Sequence, residues 1–163
     1  MWCLIMKKMI VNKEGLKIIK KYEGFRNHPY EDASGIPRIG YGNMFYDDGT
    51  EVLITDEPIT IKKGIKQLRI FLKGCESMIS RLVEPELNQN QFDALISLIY
   101  KIGLDEFENS ELLKKINNNP EDETIKDEFL KWNKKGGKVN KMMKKRRNEE
   151  AYLFFKPISK WKK

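Results

Sequence analysis

One stretch of the chain carries apolar residues at alternating intervals of three and four. Thr60 stands where a helix N-cap is expected, and the pattern stops before Pro85. A helix over 60–83 is therefore predicted. A coiled-coil dimer would show the same spacing, but a single stripe inside a globular chain is more typical of a helix that faces a core. Its apolar members are Ile61, Ile65, Leu68, Leu72, Cys75, Ile79 and Leu82.

The next segment, residues 89–102, has hardly any polar face. Asn88 is its expected N-cap and Gly103 its expected stop. A helix that is apolar nearly all round belongs in the middle of a helical lobe. Two further helices are predicted, one from Pro120 through Trp132 and one over 140–155, with a break at Gly136-Gly137.

The chain before residue 60 has a different pattern. Asn12 is expected to cap a first helix that Gly24 ends, and the glycines and prolines of 25–56 favour a small antiparallel sheet with a hairpin turn at 47–50. The predicted fold is α+β, mostly α, in one domain of two lobes. Its parts are a helix with a β lobe (12–59), a connecting helix (60–83), a helical lobe (84–155) and a basic tail (156–163).

Two carboxylates near the first helix have contrasting surroundings. Glu23 continues the apolar face of Leu16 and Ile19 at the helix end, where partial burial and the helix dipole both favour the protonated form. Asp32, nine residues later, lies in a polar turn and should stay charged. Such a pair can supply the acid and base of glycoside hydrolysis, although a Glu ending a helix and an Asp in a turn are both common without catalysis.

Glycines follow these carboxylates closely. Gly40 and Gly42 alternate with apolar residues, as where a ligand approaches the backbone of a strand. With the carboxylates they form a pattern that resembles the phage lysozymes, or endolysins, of glycoside hydrolase family 24. The matching residues are Glu23-Gly24-Phe25, Pro29-Tyr30, Asp32, Gly35 and Ile39-Gly40-Tyr41-Gly42.

The resemblance implies that Glu23 is the general acid and that Asp32 holds the attacking water. The third catalytic residue of the family, a threonine, is replaced here by Arg38, and its frequent histidine by Asn43. Arginine cannot accept a hydrogen bond, so its guanidinium must either turn away from the cleft or pair with Asp32. Either arrangement predicts weak or absent catalysis.

The resemblance also implies that residues of both lobes contact the sugars of the substrate. Alternatively, Asn109 or Ser110 serves only as the cap of a helix. On the last helix, Arg147 is predicted to face inward, where Glu23 is an available partner for its buried charge. The expected substrate contacts are Gly40, Tyr41, Gly42 and Asn43 from the sheet lobe, and Phe107, Asn109, Ser110 and Trp132 from the helical lobe.

Composition narrows the set of partners. The net charge is +7, from 31 Lys and Arg against 24 Asp and Glu, and should draw the protein to polyanions. No nucleic-acid-binding signature is present, so no nucleic acid partner is expected. Two distant cysteines and one histidine give no disulfide framework, metal site or cofactor site. Residues 1–11 are too short for a membrane span, so no stable membrane insertion is expected.

The resemblance therefore implies a peptidoglycan-cleaving muramidase that hydrolyses the β-1,4 bond between N-acetylmuramic acid and N-acetylglucosamine. We expect a monomer that needs no cofactor, is made in the host cytoplasm, and reaches the cell wall through a phage holin. The alternative is a catalytically inactive protein of the same fold that binds peptidoglycan or another polyanion, as Arg38 at a working position would favour. A basic nucleic-acid binder is a third hypothesis.

Overall fold

A computed structural model describes residues 8–158 of the chain as seven helices and two small two-stranded antiparallel sheets. Cys3 and the end of the predicted basic tail, 159–163, lie outside the described residues. The elements are α1 (Lys13–Glu23), β1 (Arg26–Glu31), β2 (Pro37–Gly40), α2 (Ile61–Leu82), α3 (Gln89–Ile102), α4 (Leu104–Glu108), α5 (Glu111–Asn118), α6 (Ile125–Lys131), β3 (Lys134–Lys135), β4 (Lys138–Val139) and α7 (Lys141–Phe155).

The predicted helix ends are confirmed at several positions. The side chains of Asn12, Thr60 and Asn88 accept hydrogen bonds from backbone N–H groups at the starts of α1, α2 and α3. Asn88 also forms a capping box with Gln91. Gly103 ends α3 with a positive φ of 96°, a conformation that favours glycine. Short polar side chains therefore set the beginnings of these helices.

Helix α2 links the two lobes, because it packs against both β2 and α3. The middle of its apolar stripe is buried, including Leu68, Leu72 and Cys75. Burial continues along the stripe to Ile79, whereas Ile61 at the N-terminal end is exposed. The predicted mostly helical α+β fold is confirmed.

Two hydrophobic cores lie on either side of this link. The larger one contains residues of α1, α2, α3 and α7, so α1 packs with the helical lobe. The smaller one contains Ile39, Val52 and Ile59 of the sheet lobe. Phe25 packs against both cores, and its ring lies across from Tyr41 at 5.4 Å between centroids. The two lobes are thus joined through apolar contact as well as through α2.

The sheet lobe has less regular structure than predicted. β1 and β2 pair antiparallel, with Tyr30 opposite Arg38 and an irregularity between Arg26 and Tyr30. The expected hairpin around 47–50 forms its turn, but only Phe45 and Glu51 make a bridge there. Phe45 is exposed, so its side chain adds little burial that would extend the ladder.

In the helical lobe the start of α6 was predicted wrongly, and the break at Gly136-Gly137 is present in a form that was not predicted. α6 begins at Ile125 because residues 119–124 form turns that the side chains of Asn119 and Asp122 stabilise by accepting backbone hydrogen bonds. Gly136 and Gly137 form the turn of the β3–β4 hairpin with positive φ angles of 56° and 77°. Within the described residues, no helix is long and apolar enough to span a membrane.

Candidate active site

A cleft of about 620 Å³ lies between the sheet lobe and the end of α3. Its wall includes Glu23, Asp32 and Arg38, the three residues predicted to matter for catalysis. Within residues 8–158, no group of three His, Cys, Asp or Glu side chains is placed to hold a metal ion. Two carboxylates line this cleft, and each has a cation beside it.

Glu23 ends α1, and its two carboxylate oxygens have different partners. Oε1 accepts a hydrogen bond of 2.5 Å from Nη1 of Arg146, while Oε2 lies 3.6 Å from Nζ of Lys101. A Cβ atom at Gly42 would lie 3.5 Å from Oε2, and the φ of Gly42 is +87°. A side chain at Gly42 would therefore be strained by this φ, and its Cβ would be in van der Waals contact with the carboxylate.

The predicted partner of Glu23 was wrong by one residue. Arg147 is fully buried, but it pairs with Glu150, with Nε and Oε2 2.9 Å apart. Arg146 instead reaches Glu23. The inward side of α7 is broader than a narrow stripe and holds both arginines together with Glu150 and Ala151. Glu150 lies four residues after Arg146, the spacing at which two side chains pair on one helix face. This spacing was the sequence signal that Arg146 could also be buried.

Glu150 holds the arginines from behind. It accepts hydrogen bonds from Nε of Arg146 at 3.0 Å, from Nη2 of Arg147 at 3.0 Å and from the hydroxyl of Ser97 at 2.6 Å. Burial raises the pKa of Glu150, and the two guanidinium groups oppose that shift. Burial lowers the pKa of Arg147 to about 10. The network fixes Arg146 so that Nη1 is presented to Glu23.

Asp32 lies in the polar turn after β1, and its hydrogen bonds are numerous. Oδ1 accepts from the backbone N–H groups of Ser34 at 2.8 Å and Ile36 at 3.1 Å. Oδ2 accepts from Nε of Arg38 at 2.6 Å. The Arg38 hydrogen bond, and then those of the two backbone groups, hold the pKa of Asp32 below its usual range.

Arg38 adopts the second of its two expected arrangements. Besides pairing with Asp32, it donates from Nη1 to the backbone oxygen of Gly42 at 2.9 Å. Its side chain is therefore fixed at two points along the cleft wall. A permanent cation therefore lies against Oδ2 of Asp32 in the cleft.

The glycine-rich segment was predicted as a strand with two ligand-facing glycines, but it is a tight turn after Gly40. The backbones of Ile39 and Asn43 exchange two hydrogen bonds across this turn. Gly42 and Asn43 line the cleft, whereas Gly40 lies beneath Ile59 and does not. Tyr41 is 4% exposed because it packs in the larger hydrophobic core. Its side chain therefore does not line the cleft, contrary to the prediction.

The predicted sugar contacts of the helical lobe lie away from the cleft wall. Phe107 is fully buried in the core, and Ser110 caps α5 by accepting from the N–H of Leu113. Asn109 is exposed and donates to the backbone of Asp105, and Trp132 packs against the main core. These residues serve core and cap roles, which the motif alone did not distinguish. The helical lobe instead lines the cleft with Tyr100, Lys101, Ile102, Gly103 and Lys135.

Lys101 is the neighbour of Glu23 that the sequence analysis missed. It lies in the last turn of α3, and its side chain is 41% exposed at the cleft. A lysine near a helix C-terminus is usually explained by the helix dipole. The sequence signal for a place near the cleft was that Lys101 directly precedes Ile102 and Gly103, where α3 ends.

Known proteins are similar to this chain in both sequence and fold. The endolysin of Salmonella phage P22 is 38% identical over 143 residues, which are 88% of this chain and 97% of that protein. The endolysin of Bacillus phage B103 is 34% identical over 93% of this chain, which spans 56% of that longer protein. The solved structure of the endolysin from Escherichia coli O157:H7 phage FAHEc1 superimposes with a TM-score of 0.82 at 29% identity, covering 91% of this chain and 95% of that one.

The family match covers the candidate site and most of the fold. Residues 20–150 match the family described as Phage lysozyme, a range that begins just before Glu23 and ends at Glu150. It includes the turn of Asp32, the connecting helix α2 and both buried arginines of α7. The chain therefore belongs to the phage lysozyme family.

Proposed function

We propose that Glu23 and Asp32 carry out the bond cleavage of a phage endolysin in the cleft between the two lobes. The chain is a peptidoglycan-degrading muramidase, a glycoside hydrolase that cleaves the β-1,4 bond between N-acetylmuramic acid and N-acetylglucosamine. The observation that carries the assignment of roles is that both carboxylates line one cleft. Glu23 is 12% exposed and anchored by Arg146, whereas Asp32 lies in a polar turn.

Glu23 protonates the leaving glycosidic oxygen from Oε2, because Oε1 is already bound to Arg146. Asp32 orients or deprotonates the attacking water. An inverting reaction requires carboxyl groups about 6.5 to 9.5 Å apart, which leaves room for that water. Gly42 contributes by having no side chain beside Oε2.

Arg38 slows this reaction in the chain as it stands. Its guanidinium bonds to Oδ2 of Asp32, while backbone N–H groups already use Oδ1. The ion pair keeps Asp32 charged but makes it a poorer base and occupies space beside it. The parent protein is therefore a weak or nearly inactive lytic enzyme.

The test is a turbidity assay on chloroform-treated Gram-negative cells at equal protein concentration. Arg38→Thr should lyse the cells at least tenfold faster than the parent, because it restores a hydroxyl and frees Oδ2 of Asp32. Adding Glu23→Gln to Arg38→Thr should remove that lysis, since general acid catalysis contributes roughly 100- to 10,000-fold. Circular dichroism controls for folding. Lysis by the double variant within threefold of Arg38→Thr would exclude Glu23 from the mechanism.

A second candidate function is peptidoglycan binding without cleavage. The observation that favours it is that cations contact both cleft carboxylates, Arg38 at Asp32 and Lys101 at Glu23. Sedimentation with purified peptidoglycan separates the two functions. Parent protein that pellets with the wall, together with an Arg38→Thr variant that still fails to lyse cells, would favour binding alone.

The setting of this activity follows the endolysin family. The protein acts as a monomer, is synthesised in the host cytoplasm, and reaches the wall through the lesion that a phage holin makes. Light scattering after gel filtration measures the oligomeric state. Co-expression with and without a holin, followed by measurement of lysis time, tests the route of release.

A further inference from the structure

The two oxygens of Glu23 are held by cations of different kinds. Arg146, on Oε1, has a side chain that is 2% exposed and is itself fixed by Glu150 and Ser97. Lys101, near Oε2, has a side chain that is 41% exposed and lies 3.6 Å away, too far for a strong hydrogen bond. One cation is therefore part of the rigid core, and the other can leave.

Other groups around Glu23 are buried or uncharged. Arg147 and Glu150 of α7 are fully buried behind Arg146, and Tyr30 of β1 and Tyr100 of α3 are neutral phenols whose pKa values burial raises further. The turn contributes Gly42, which has no side chain. Asp32, Arg38 and Lys135 are charged and line the same cleft, and Lys101 is the cation that approaches Oε2.

Oε2 is also the oxygen that must meet the substrate. Because Arg146 occupies Oε1, a proton for the glycosidic oxygen has to come from Oε2. Lys101 approaches that same atom from the cleft, and the cleft wall includes both residues. A lysine at this place and a glycosidic oxygen compete for one position.

We propose that Lys101 is a positioning residue that acts through Oε2 of Glu23, contacting that oxygen in the empty cleft and separating from it when a glycan binds. The inference rests on the proposed function, because it assigns Glu23 as the acid. Lys101 then restricts cleavage to lower pH, since a cation beside a carboxyl group opposes its protonation and a general acid must be protonated.

The direction of the effect can be worked out from charge alone. Removing Lys101 removes a cation near Oε2 that opposes protonation, so the limb on which activity falls with rising pH moves upward. Salt should reduce this difference, because the Lys101 side chain is partly exposed and its charge is screened. The shift should be visible in the pH profile of kcat, because the protonation state of the enzyme–substrate complex governs kcat.

The experiment compares Lys101→Met and Lys101→Gln with Lys101→Arg, all in the Arg38→Thr protein. We expect the two neutral variants to move the alkaline limb of kcat upward by about half a pH unit or more, and Lys101→Arg to keep the limb of its parent. Lys126→Gln is the matched control, because Lys126 is exposed on α6 and does not line the cleft. It should leave the profile unchanged.

A structural role for Lys101 would give a different result. Neutral variants that lose stability or kcat at every pH, with the alkaline limb in place, would overturn the proposal, and so would a Lys101→Arg variant that behaves like them. Halving of the limb shift between 0.05 and 0.5 M salt would support it, because a direct charge effect is screened.

A second measurement does not depend on lysis. The side-chain carbonyl of Glu23 can be followed by 13C NMR against pH in the parent and in Lys101→Met. The two curves should differ in the same direction as the kcat limbs, and coincident curves would overturn the proposal. If the Arg38→Thr protein fails to lyse cells, the proposed function fails, while the NMR titration still decides whether Lys101 acts on Glu23.

Discussion

At the level of single residues, the hydrogen bonds of Asp32 come from two kinds of donor. Its two oxygens accept hydrogen bonds from two backbone N–H groups and from Arg38. The backbone bonds come from the turn itself and need no particular side chain at position 38. The bond from Arg38 is the part of this arrangement that a single substitution can remove.

The first residue-scale prediction is that Arg38→Thr raises the pKa of Asp32 toward its ordinary value, because it removes the largest cause of the shift. The depressed pKa favours the folded protein above the pKa that Asp32 has when unfolded, and this contribution is lost as pH falls through the folded value. NMR titration of the Asp32 carboxyl measures the shift. Superimposable curves for the two proteins would mean that the backbone bonds alone lower the pKa.

Sequence reasoning reached only part of the site at this scale. The positions of Glu23 and Asp32 followed from the motif, but the choice between Arg146 and Arg147 did not. Both arginines are buried on α7, and their roles depend on Glu150 and Ser97, which lie on different helices. Glu23 and Arg146 are 123 residues apart in the chain, so no local pattern could show that they pair.

At the level of elements, α2 contains two glycines with opposite surroundings. Gly64 is buried, and a Cβ atom there would lie 2.6 Å from Cε2 of Phe25. Gly74 is exposed on the same helix, and nothing lies within 4 Å of a Cβ atom there. The close approach of α2 to the sheet lobe therefore depends on the missing side chain at Gly64.

The element-scale prediction is that Gly64→Ala destabilises the protein and Gly74→Ala stabilises it. Alanine favours a helix interior over glycine by about 1 kcal/mol, and Gly74→Ala should gain roughly 0.5 to 1 kcal/mol. At Gly64 the same gain is outweighed, because moving Phe25 in a packed interior costs about 1 to 3 kcal/mol. Urea unfolding of both variants gives the two free energies. An equal gain at both positions would mean that Phe25 moves aside freely.

Helix boundaries were predictable where a cap side chain or a glycine sets them, as at Asn88 and Gly103. The same reasoning failed at α6, because Pro120 starts a series of side-chain-stabilised turns before the helix begins at Ile125. The predicted break at Gly136-Gly137 is present, but the two glycines form a hairpin turn that was not predicted. Glycine marks an interruption at Gly103 and at Gly136-Gly137, and tertiary structure determines what the interruption becomes.

At the level of the whole molecule, charge and cleft geometry act over different distances. The net charge of +7 acts on the whole protein, whereas the ion pairs of the cleft act over less than 4 Å. Envelope polyanions can therefore attract the protein without entering the cleft. Attachment and cleavage should respond differently to salt for this reason.

The corresponding prediction is that attachment to purified cell walls weakens as salt rises from 0.05 to 0.5 M, since exposed charges are screened beyond about 8 Å at physiological ionic strength. Glu23→Gln is the protein to use, because it keeps the overall fold while preventing cleavage during the assay. Sedimentation measures the bound fraction. Binding that stays constant over this range would indicate that specific sugar contacts dominate.

Cys75 offers a consequence for experiments on this protein. The thiol is buried in the middle of α2, and burial raises its pKa to about 12. A thiol reagent can react with Cys75 only when the packing of α2 in the larger core opens, because the folded protein buries the thiol and disfavours its thiolate. In a Cys3→Ser background, the labelling rate of Cys75 would serve as an internal clock for opening of α2, without an added fluorophore or an engineered cysteine.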